Sequence, residues 1–124
     1  MIFQKLEFDG VHVIELEKIV DQRGFFVRSW DKDVFQQKRL NYNIVQCNIS
    51  FNKIKGTIRG LHYQIAPYEE IKFVRCVSGK AYEVFVDLRK DSKTFLKWGG
   101  VELDSKKLTS LYVPEGFALG FQTL

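Results

Sequence analysis

The fold class is decided by residues 71–88, which read IKFVRCVSGKAYEVFVDL. Polar and apolar residues alternate through its second half, where Tyr82, Val84, Val86 and Leu88 share one face and Ala81, Glu83, Phe85 and Asp87 share the other. A period of two residues is that of a β-strand. Gly79-Lys80 supplies a two-residue turn, so residues 71–78 and 81–88 are predicted to form a β-hairpin.

Similar short segments recur along the rest of the chain, separated by Gly, Asn, Asp and Pro. Strands are predicted over 11–16, 24–30, 43–50, 57–64, 98–103, 108–113 and 117–124. One short helix is predicted near 31–40, because acidic residues at its start and basic residues at its end complement the helix dipole. Eight or nine strands at roughly 8–12-residue spacing predict an all-β sandwich or barrel.

Composition and charge restrict the class of protein. With 124 residues, 45% of them apolar, the chain is long enough for one domain with a modest core. The net charge of +4 comes without a basic run, so it permits a phosphate-bearing ligand but does not indicate nucleic acid. The sequence shows no membrane segment and no signal-peptide core, which predicts a cytoplasmic protein. In that reducing compartment Cys47 and Cys76 are expected to be small buried apolar residues; a disulfide or a reactive thiol is the alternative.

Residues 57–64, TIRGLHYQ, contain one of only two histidines in the chain. An imidazole titrates near neutrality, which makes His62 a candidate general base; a half-buried structural position in a strand is the alternative. Arg59 lies three residues earlier, and an odd spacing places two side chains on opposite faces of a regular strand. Gly60 is the natural position for a bulge, so we predict an irregularity there that brings Arg59 and His62 to one pocket.

Two further cations are candidates for a site. Lys72 is in phase with the apolar residues Val74 and Cys76, so it is either a rim residue or a buried cation that stabilises a developing enolate oxygen. Arg23 lies beside Gly24, and a guanidinium fork next to a glycine suits phosphate oxygens; a surface arginine in a turn is the alternative.

Two common kinds of catalytic centre are not predicted. Gln64 stands where the second histidine of a His-x-His pair would be, and His12 is remote in the sequence, so no metal site is expected. The chain also contains no Gly-x-Ser-x-Gly segment, the signature of one class of Ser-His-Asp hydrolases.

Seven collinear segments carry a resemblance that covers nearly the whole chain. They are DQRGFF at 21–26, QCNIS at 46–50, RGLHYQ at 59–64, KFVRCVSG at 72–79, VDLR at 86–89, SKTF at 92–95 and VPEGFA at 113–118. In order and spacing the chain resembles the dTDP-4-dehydrorhamnose 3,5-epimerase family. The resemblance implies a single cupin-type jelly-roll domain over 1–124, a double-stranded β-helix. It also implies a homodimer in which N-terminal strands contribute to the partner's sheet.

The resemblance also implies the chemistry and the residues that perform it. The implied reaction is epimerisation at C3 and C5 of a dTDP-4-dehydro-6-deoxyhexose, by proton abstraction next to the C4 ketone, without metal or organic cofactor. The implied roles are base for His62, cation near the ketone oxygen for Lys72, phosphate and sugar contacts for Arg23 and Arg59, nucleotide contacts for Gln46 and Asn48, and ligand packing for Phe25 or Phe26.

The chain departs from the family pattern at several positions. Arg28 stands where a glutamate is usual, and Ile49 and Leu119 stand where histidines are frequent. The family's catalytic tyrosine, its histidine-orienting aspartate and its last strands are expected beyond Leu124, so the domain is expected to be incomplete at its C-terminal end. Two alternatives follow: a catalytically impaired sugar-nucleotide-binding module, or a sister epimerase that acts on another nucleotide sugar.

Overall fold

The computed structural model describes residues 1–124 as ten β-strands and one α-helix. The strands are β1 (Ile2–Lys5), β2 (His12–Glu15), β3 (Lys18–Asp21), β4 (Gly24–Val27), β5 (Ile58–His62), β6 (Lys72–Arg75), β7 (Lys80–Asp87), β8 (Trp98–Asp104), β9 (Thr109–Val113) and β10 (Phe117–Thr123). The helix α1 spans Lys32–Gln37. The prediction of an all-β chain with one short helix near 31–40 is confirmed.

Eight of the strands form two four-stranded antiparallel sheets. The first has the order β1-β2-β9-β6 and the second the order β5-β10-β7-β8. The remaining two strands, β3 and β4, form a separate hairpin; β3 is absent from the sequence predictions. The structure contains no helix with the length and apolar character needed to cross a membrane.

The main core lies between the two four-stranded sheets. Its buried members are Phe8, Val11, Phe85, Leu103, Leu111, Val113, Phe117 and Leu119. Phe85, Leu103, Phe117 and Leu119 come from the second sheet, and Leu111 and Val113 come from the first. Alternate residues of a strand face the same side, so these residues define the inner face of each sheet.

A second, smaller core lies on the outer face of the first sheet, beneath α1. Asp31 caps the helix, because its side chain accepts hydrogen bonds from the backbone N–H groups of Asp33 and Val34. Phe35 is buried and makes edge contacts with Phe73 and Tyr112. One aromatic side chain therefore anchors a six-residue helix to the sheet.

The predicted hairpin of 71–78 with 81–88 is wrong. β6 pairs with β9 in the first sheet, whereas β7 pairs with β8 and β10 in the second. The chain leaves β6 at Arg75 and crosses between the sheets through residues 76–79, where Gly79 has a φ of +74°. The prediction is wrong because alternation reports which face a residue occupies and does not report which strand lies beside it.

Residues 43–50 form no strand, contrary to the prediction. Every residue of this segment is exposed, with Val45 at 82% and Ile49 at 89%. A strand requires a hydrogen-bonded neighbour, and no strand of this chain pairs with the segment. The sequence of this segment alternates like a strand, but the single chain provides no neighbouring strand with which it can form a sheet.

Candidate active site

The bulge in β5 brings Arg59 and His62 to one face. His62 pairs with Leu119 and Arg59 pairs with Phe121 on β10, so two residues of β5 lie opposite the single intervening residue of β10. Because of that extra residue, two side chains three positions apart point to the same face of the strand and not to opposite faces. Leu119 belongs to the core between the sheets. The register therefore places Arg59 and His62 on the inner face, and the predicted irregularity near Gly60 is confirmed.

Two glycines facing each other allow this bulge. Gly60 has a φ of +101°, in the region that side chains rarely adopt. A Cβ on Gly60 would lie 2.6 Å from the Cα of Gly120, and a Cβ on Gly120 would lie 2.6 Å from the carbonyl oxygen of Arg59. No side chain fits at either position without separating β5 from β10.

Lys72 belongs to the opposite sheet. It pairs with Val113 of β9, which belongs to the core between the sheets, so Lys72 also lies on an inner face. Its side chain is mostly buried and forms an ion pair with Glu70. The two interpretations of Lys72 from sequence were a rim residue and a buried cation. The structure combines them, because the side chain is mostly buried on an inner face and its charge is balanced by Glu70.

Arg59 and His62 differ in how they are held. The Nε of Arg59 donates a hydrogen bond of 2.8 Å to the side-chain oxygen of Asn52, in the turn that precedes β5. No side-chain hydrogen bond or ion pair involves His62, which is exposed. The arginine is thus positioned by a neighbour, and both imidazole nitrogens are accessible to a ligand.

Glu83 is a buried carboxyl group on the same inner face that the sequence analysis did not select as a candidate. Arg59, Phe121 and Glu83 pair successively across β5, β10 and β7, so they form one transverse row. Glu83 is 6% exposed, and its Oε2 atom has no hydrogen-bond partner in the protein. Burial raises the pKa of Glu83 to about 7. The signal was available, since alternation places Glu83 in phase with Phe85.

Asp87 lies on the same strand and the same face as Glu83, but it has a different role. Its carboxylate accepts hydrogen bonds from Arg89, Ser92 and Thr94, which together fix the loop after β7. Burial opposes ionisation, but these donors hold the pKa of Asp87 well below its ordinary value. A carboxylate so fully bonded stabilises the loop and has little capacity to exchange protons near neutrality.

Four predicted ligand-binding residues do not meet the inner-face residues in the single chain. No hydrogen bond or ion pair links Arg23, Phe26, Gln46 or Asn48 to Arg59, His62 or Lys72. Arg23 lies in the β3–β4 turn and forms an ion pair with Asp21 at 2.5 Å, and the Phe26 ring is 63% exposed. Gln46 and Asn48 are exposed in the segment without secondary structure.

Two of the departures from the family pattern have local structural roles. Arg28 donates a hydrogen bond of 2.6 Å to Asp31, the residue that caps α1. Leu119 is buried in the main core with Phe85 and Phe117. Ile49 has no such role and is exposed.

The two histidines are on different sheets. His12 lies on β2, and its Nδ1 is 3.0 Å from the carbonyl oxygen of Gly10, with its ring against Phe3 and Tyr112. The structure brings no three His, Cys, Asp or Glu side chains together as a metal-binding group. Chemistry without a metal or cofactor stays a prediction.

Comparison with known proteins identifies the class of this fold and site. Two facing antiparallel sheets, with an imidazole and cations on their inner faces, have the arrangement of a cupin-type jelly roll; the solved structures below share this fold, which confirms the prediction. The family model described as dTDP-4-dehydrorhamnose 3,5-epimerase matches residues 5–124. The chain belongs to the dTDP-4-dehydrorhamnose 3,5-epimerase family.

Individual relatives support the same assignment. The dTDP-4-dehydrorhamnose 3,5-epimerase of Shigella flexneri is 45% identical over 121 residues, which cover 97% of this chain and 66% of the relative. The structure of the Bacillus anthracis epimerase with TDP and PPi bound has a TM-score of 0.95 at 40% identity and covers 98% of this chain and 70% of that one. A Legionella pneumophila epimerase in complex with dTDP-4-keto-L-rhamnose has a TM-score of 0.82 at 32% identity and covers 98% and 64%. The chain spans about two thirds of the length of the curated relatives it matches.

Proposed function

We propose that this protein epimerises a dTDP-4-dehydro-6-deoxyhexose at C3 and C5, in the synthesis of dTDP-rhamnose or a related deoxysugar. The observation that carries the proposal is the bulge in β5, which directs Arg59 and His62 to the inner face of one sheet, while Lys72 lies on the inner face of the other. A base and a cation on facing surfaces suit proton removal next to a ketone, because the charge that develops on the ketone oxygen needs a positive partner.

His62 is the proposed base and Lys72 the proposed electrostatic partner. A neutral imidazole accepts the proton from the carbon next to the C4 ketone, and the electron pair moves to the ketone oxygen to give an enolate. The Lys72 ammonium, mostly buried between the sheets, would stabilise that oxygen more strongly than an ammonium in water. Return of a proton to the opposite face of the carbon completes the inversion.

The proposed substrate class is a nucleotide diphosphate sugar. The Bacillus anthracis relative binds TDP and the Legionella pneumophila relative binds dTDP-4-keto-L-rhamnose. Arg59 is assigned to the sugar and phosphate groups, since its guanidinium is positioned by a hydrogen bond to Asn52. Arg23, Phe26, Gln46 and Asn48 are assigned to the ligand by family membership.

The proposed assembly is a homodimer formed through N-terminal strands. The β3–β4 hairpin exposes four large apolar side chains, Ile19, Val20, Phe25 and Phe26. β1 is an edge strand of the first sheet, so its outer backbone groups are free to pair. Exposed apolar side chains and an open strand edge are both typical of a protein interface.

Three further expectations remain proposals. The main core joins both four-stranded sheets, which supports residues 1–124 acting as one domain. Cys47 and Cys76 are both unpaired, which supports a reducing compartment such as the cytoplasm, although Cys47 is exposed and the prediction that it is buried is wrong. The reaction needs only a base, a cation and a proton donor, which supports catalysis without a cofactor.

A proton-exchange experiment tests the proposed function. In deuterated water the protein is expected to exchange the C3 or C5 hydrogen of a dTDP-4-keto-6-deoxyhexose, and His62→Ala is expected to reduce that rate by about 10²–10⁴-fold, the usual contribution of a general base. The measurement is ¹H NMR of the sugar. His12→Ala is the matched control, since it removes the other histidine from a different sheet.

The outcomes separate the candidate functions. Exchange that persists in His62→Ala would exclude His62 as the base. Binding of the sugar nucleotide without exchange in the wild type would favour the second candidate, the impaired binding module. This candidate is tested because no protein group is hydrogen-bonded to the His62 ring to orient it. Preference for another nucleotide sugar in a competition experiment would favour the sister epimerase.

A further inference from the structure

Four arginines form side-chain hydrogen bonds in this protein, and Arg59 differs from the other three in the partner that holds it. The other three are each bonded to an aspartate: Arg23 to Asp21, Arg28 to Asp31 and Arg89 to Asp87. Arg59 is bonded to the neutral side chain of Asn52 and takes part in no ion pair. The positive charge of Arg59 therefore has no carboxylate partner in the protein.

The hydrogen bond between Arg59 and Asn52 leaves the outer part of the guanidinium free. It joins the Nε atom of Arg59 to the Oδ1 atom of Asn52 at 2.8 Å, and the N–H groups of the two terminal nitrogens have no partner. Those two nitrogens form the fork that binds two oxygens of one phosphate group. Asn52 thus fixes the direction of the guanidinium without occupying its fork or neutralising its charge.

The turn that carries Asn52 is fixed to the end of β10. The backbone N–H of Gly56 donates to the carbonyl oxygen of Thr123, and the backbone N–H of Thr57 donates to the hydroxyl oxygen of Thr123. The backbone N–H of Thr123 donates in turn to the carbonyl oxygen of Thr57. Because β10 also pairs with β5, which carries Arg59, these bonds hold Asn52 at a defined position relative to the guanidinium.

We propose that Asn52 is a positioning residue for the diphosphate of a nucleotide sugar: it directs the Arg59 fork at the phosphate oxygens and, being neutral, preserves the full charge of the guanidinium. The inference rests on the proposed function, in which Arg59 contacts the sugar and phosphate groups. An aspartate at position 52 would hold the guanidinium equally well, but its carboxylate would repel the diphosphate. Asparagine at this position therefore favours binding of an anion over stability of the ligand-free protein.

Binding of TDP to the full chain, measured by isothermal titration calorimetry, tests this role. Asn52→Ala is expected to weaken TDP binding by about three- to tenfold, the usual contribution of one hydrogen bond. Asn52→Asp keeps the hydrogen-bond acceptor and is expected to weaken binding by about tenfold or more, because the carboxylate pairs with Arg59 and repels the ligand. Lys55→Gln is the matched control, since it lowers the net charge of the same turn equally from an exposed side chain without hydrogen bonds.

Two further readouts separate this role from a structural one. Without ligand, Asn52→Asp is expected to melt at the same temperature as the wild type or higher, because a hydrogen bond to an anion is stronger than one to an amide. A residue that only supports the fold would lose stability and TDP binding together. In the proton-exchange assay both Asn52 variants are expected to raise KM and to leave kcat close to the wild-type value, since the diphosphate does not react.

The outcomes distinguish this inference from the proposed function. Equal weakening of TDP binding by Asn52→Asp and Lys55→Gln, or wild-type affinity in Asn52→Ala, would overturn the role of Asn52 and leave the proposed reaction intact. Failure of the wild type to bind TDP would overturn this role together with the proposed substrate class. TDP binding that depends on Asn52, in a protein that shows no proton exchange, would support the role of Asn52 and contradict the proposed reaction.

Discussion

Replacement of Gly60 by alanine is expected to destabilise the protein by about 3 kcal/mol or more and to pull Arg59 and His62 out of alignment. The added Cβ would lie 2.6 Å from the Cα of Gly120 and 2.8 Å from the carbonyl oxygen of Leu119. Both are backbone atoms of the paired strand β10, so no side-chain rotation relieves the contact. β5 must move away, and the bulge that places both side chains on the inner face is lost.

Gly79→Ala is the matched control for this prediction. Gly79 has a similar positive φ of +74°, but a Cβ there meets no atom within 4 Å. Its substitution is expected to cost about 1–2 kcal/mol, the backbone contribution alone. The measurements are the free energy of unfolding by denaturant and the NMR shifts of the His62 ring. If Gly60→Ala and Gly79→Ala lose the same free energy of unfolding, the close approach of β5 and β10 is not the reason for glycine at position 60.

The part of this site nearest the backbone could be predicted from sequence. Arg59 and His62 are three residues apart, so in a regular strand their side chains would point to opposite faces. If both side chains belong to one site, the strand must contain a bulge, and Gly60 between them is the natural position for it. The inward position of Lys72 follows in the same way from its phase with Val74. These inferences use only positions a few residues apart, for which the geometry of a strand fixes the answer.

Pairing between distant segments could not be predicted in this way. Residues 71–88 alternate as two strands, but β6 pairs with β9, more than thirty residues along the chain. Residues 43–50 alternate equally well and pair with nothing in the single chain. Local sequence determines the face of each residue, whereas the neighbour of each strand depends on how the whole core is filled.

The missed Glu83 illustrates a different limit. Alternation places Glu83 in phase with Phe85 and Asp87, which marks it as inward-facing. Sequence alone does not reveal that the Asp87 carboxylate accepts hydrogen bonds from three residues of its loop, while Oε2 of Glu83 has no hydrogen-bond partner. The two carboxyl groups therefore have opposite pKa shifts on one face of one strand, because only one of them is hydrogen-bonded as an anion.

The free energy of unfolding of the wild type is expected to fall between pH 5 and pH 8, and Glu83→Gln is expected to remove a large part of that fall. Burial raises the pKa of Glu83 from an ordinary 4.5 to about 7. Between these values the unfolded chain releases the proton and the folded chain retains it, so unfolding becomes more favourable as pH rises and levels off above about pH 7. The difference corresponds to about 3 kcal/mol of stability present below pH 4.5 and lost by pH 7.

The test compares the free energy of unfolding of the wild type and of Glu83→Gln across that pH range. Because glutamine does not ionise, the two curves are expected to converge near pH 5 and to diverge by about 3 kcal/mol near pH 8, with the variant more stable there. Glu7→Gln is the control, since Glu7 is exposed and forms no side-chain hydrogen bond. Parallel curves for wild type and Glu83→Gln would mean that Arg59, in the same transverse row, or water stabilises the Glu83 anion in the folded protein. A carboxylic acid that remains neutral near pH 7, on the same inner face as His62, would be able to donate a proton or a hydrogen bond to a bound sugar, so the same titration decides whether that face carries a neutral acid as well as the proposed base.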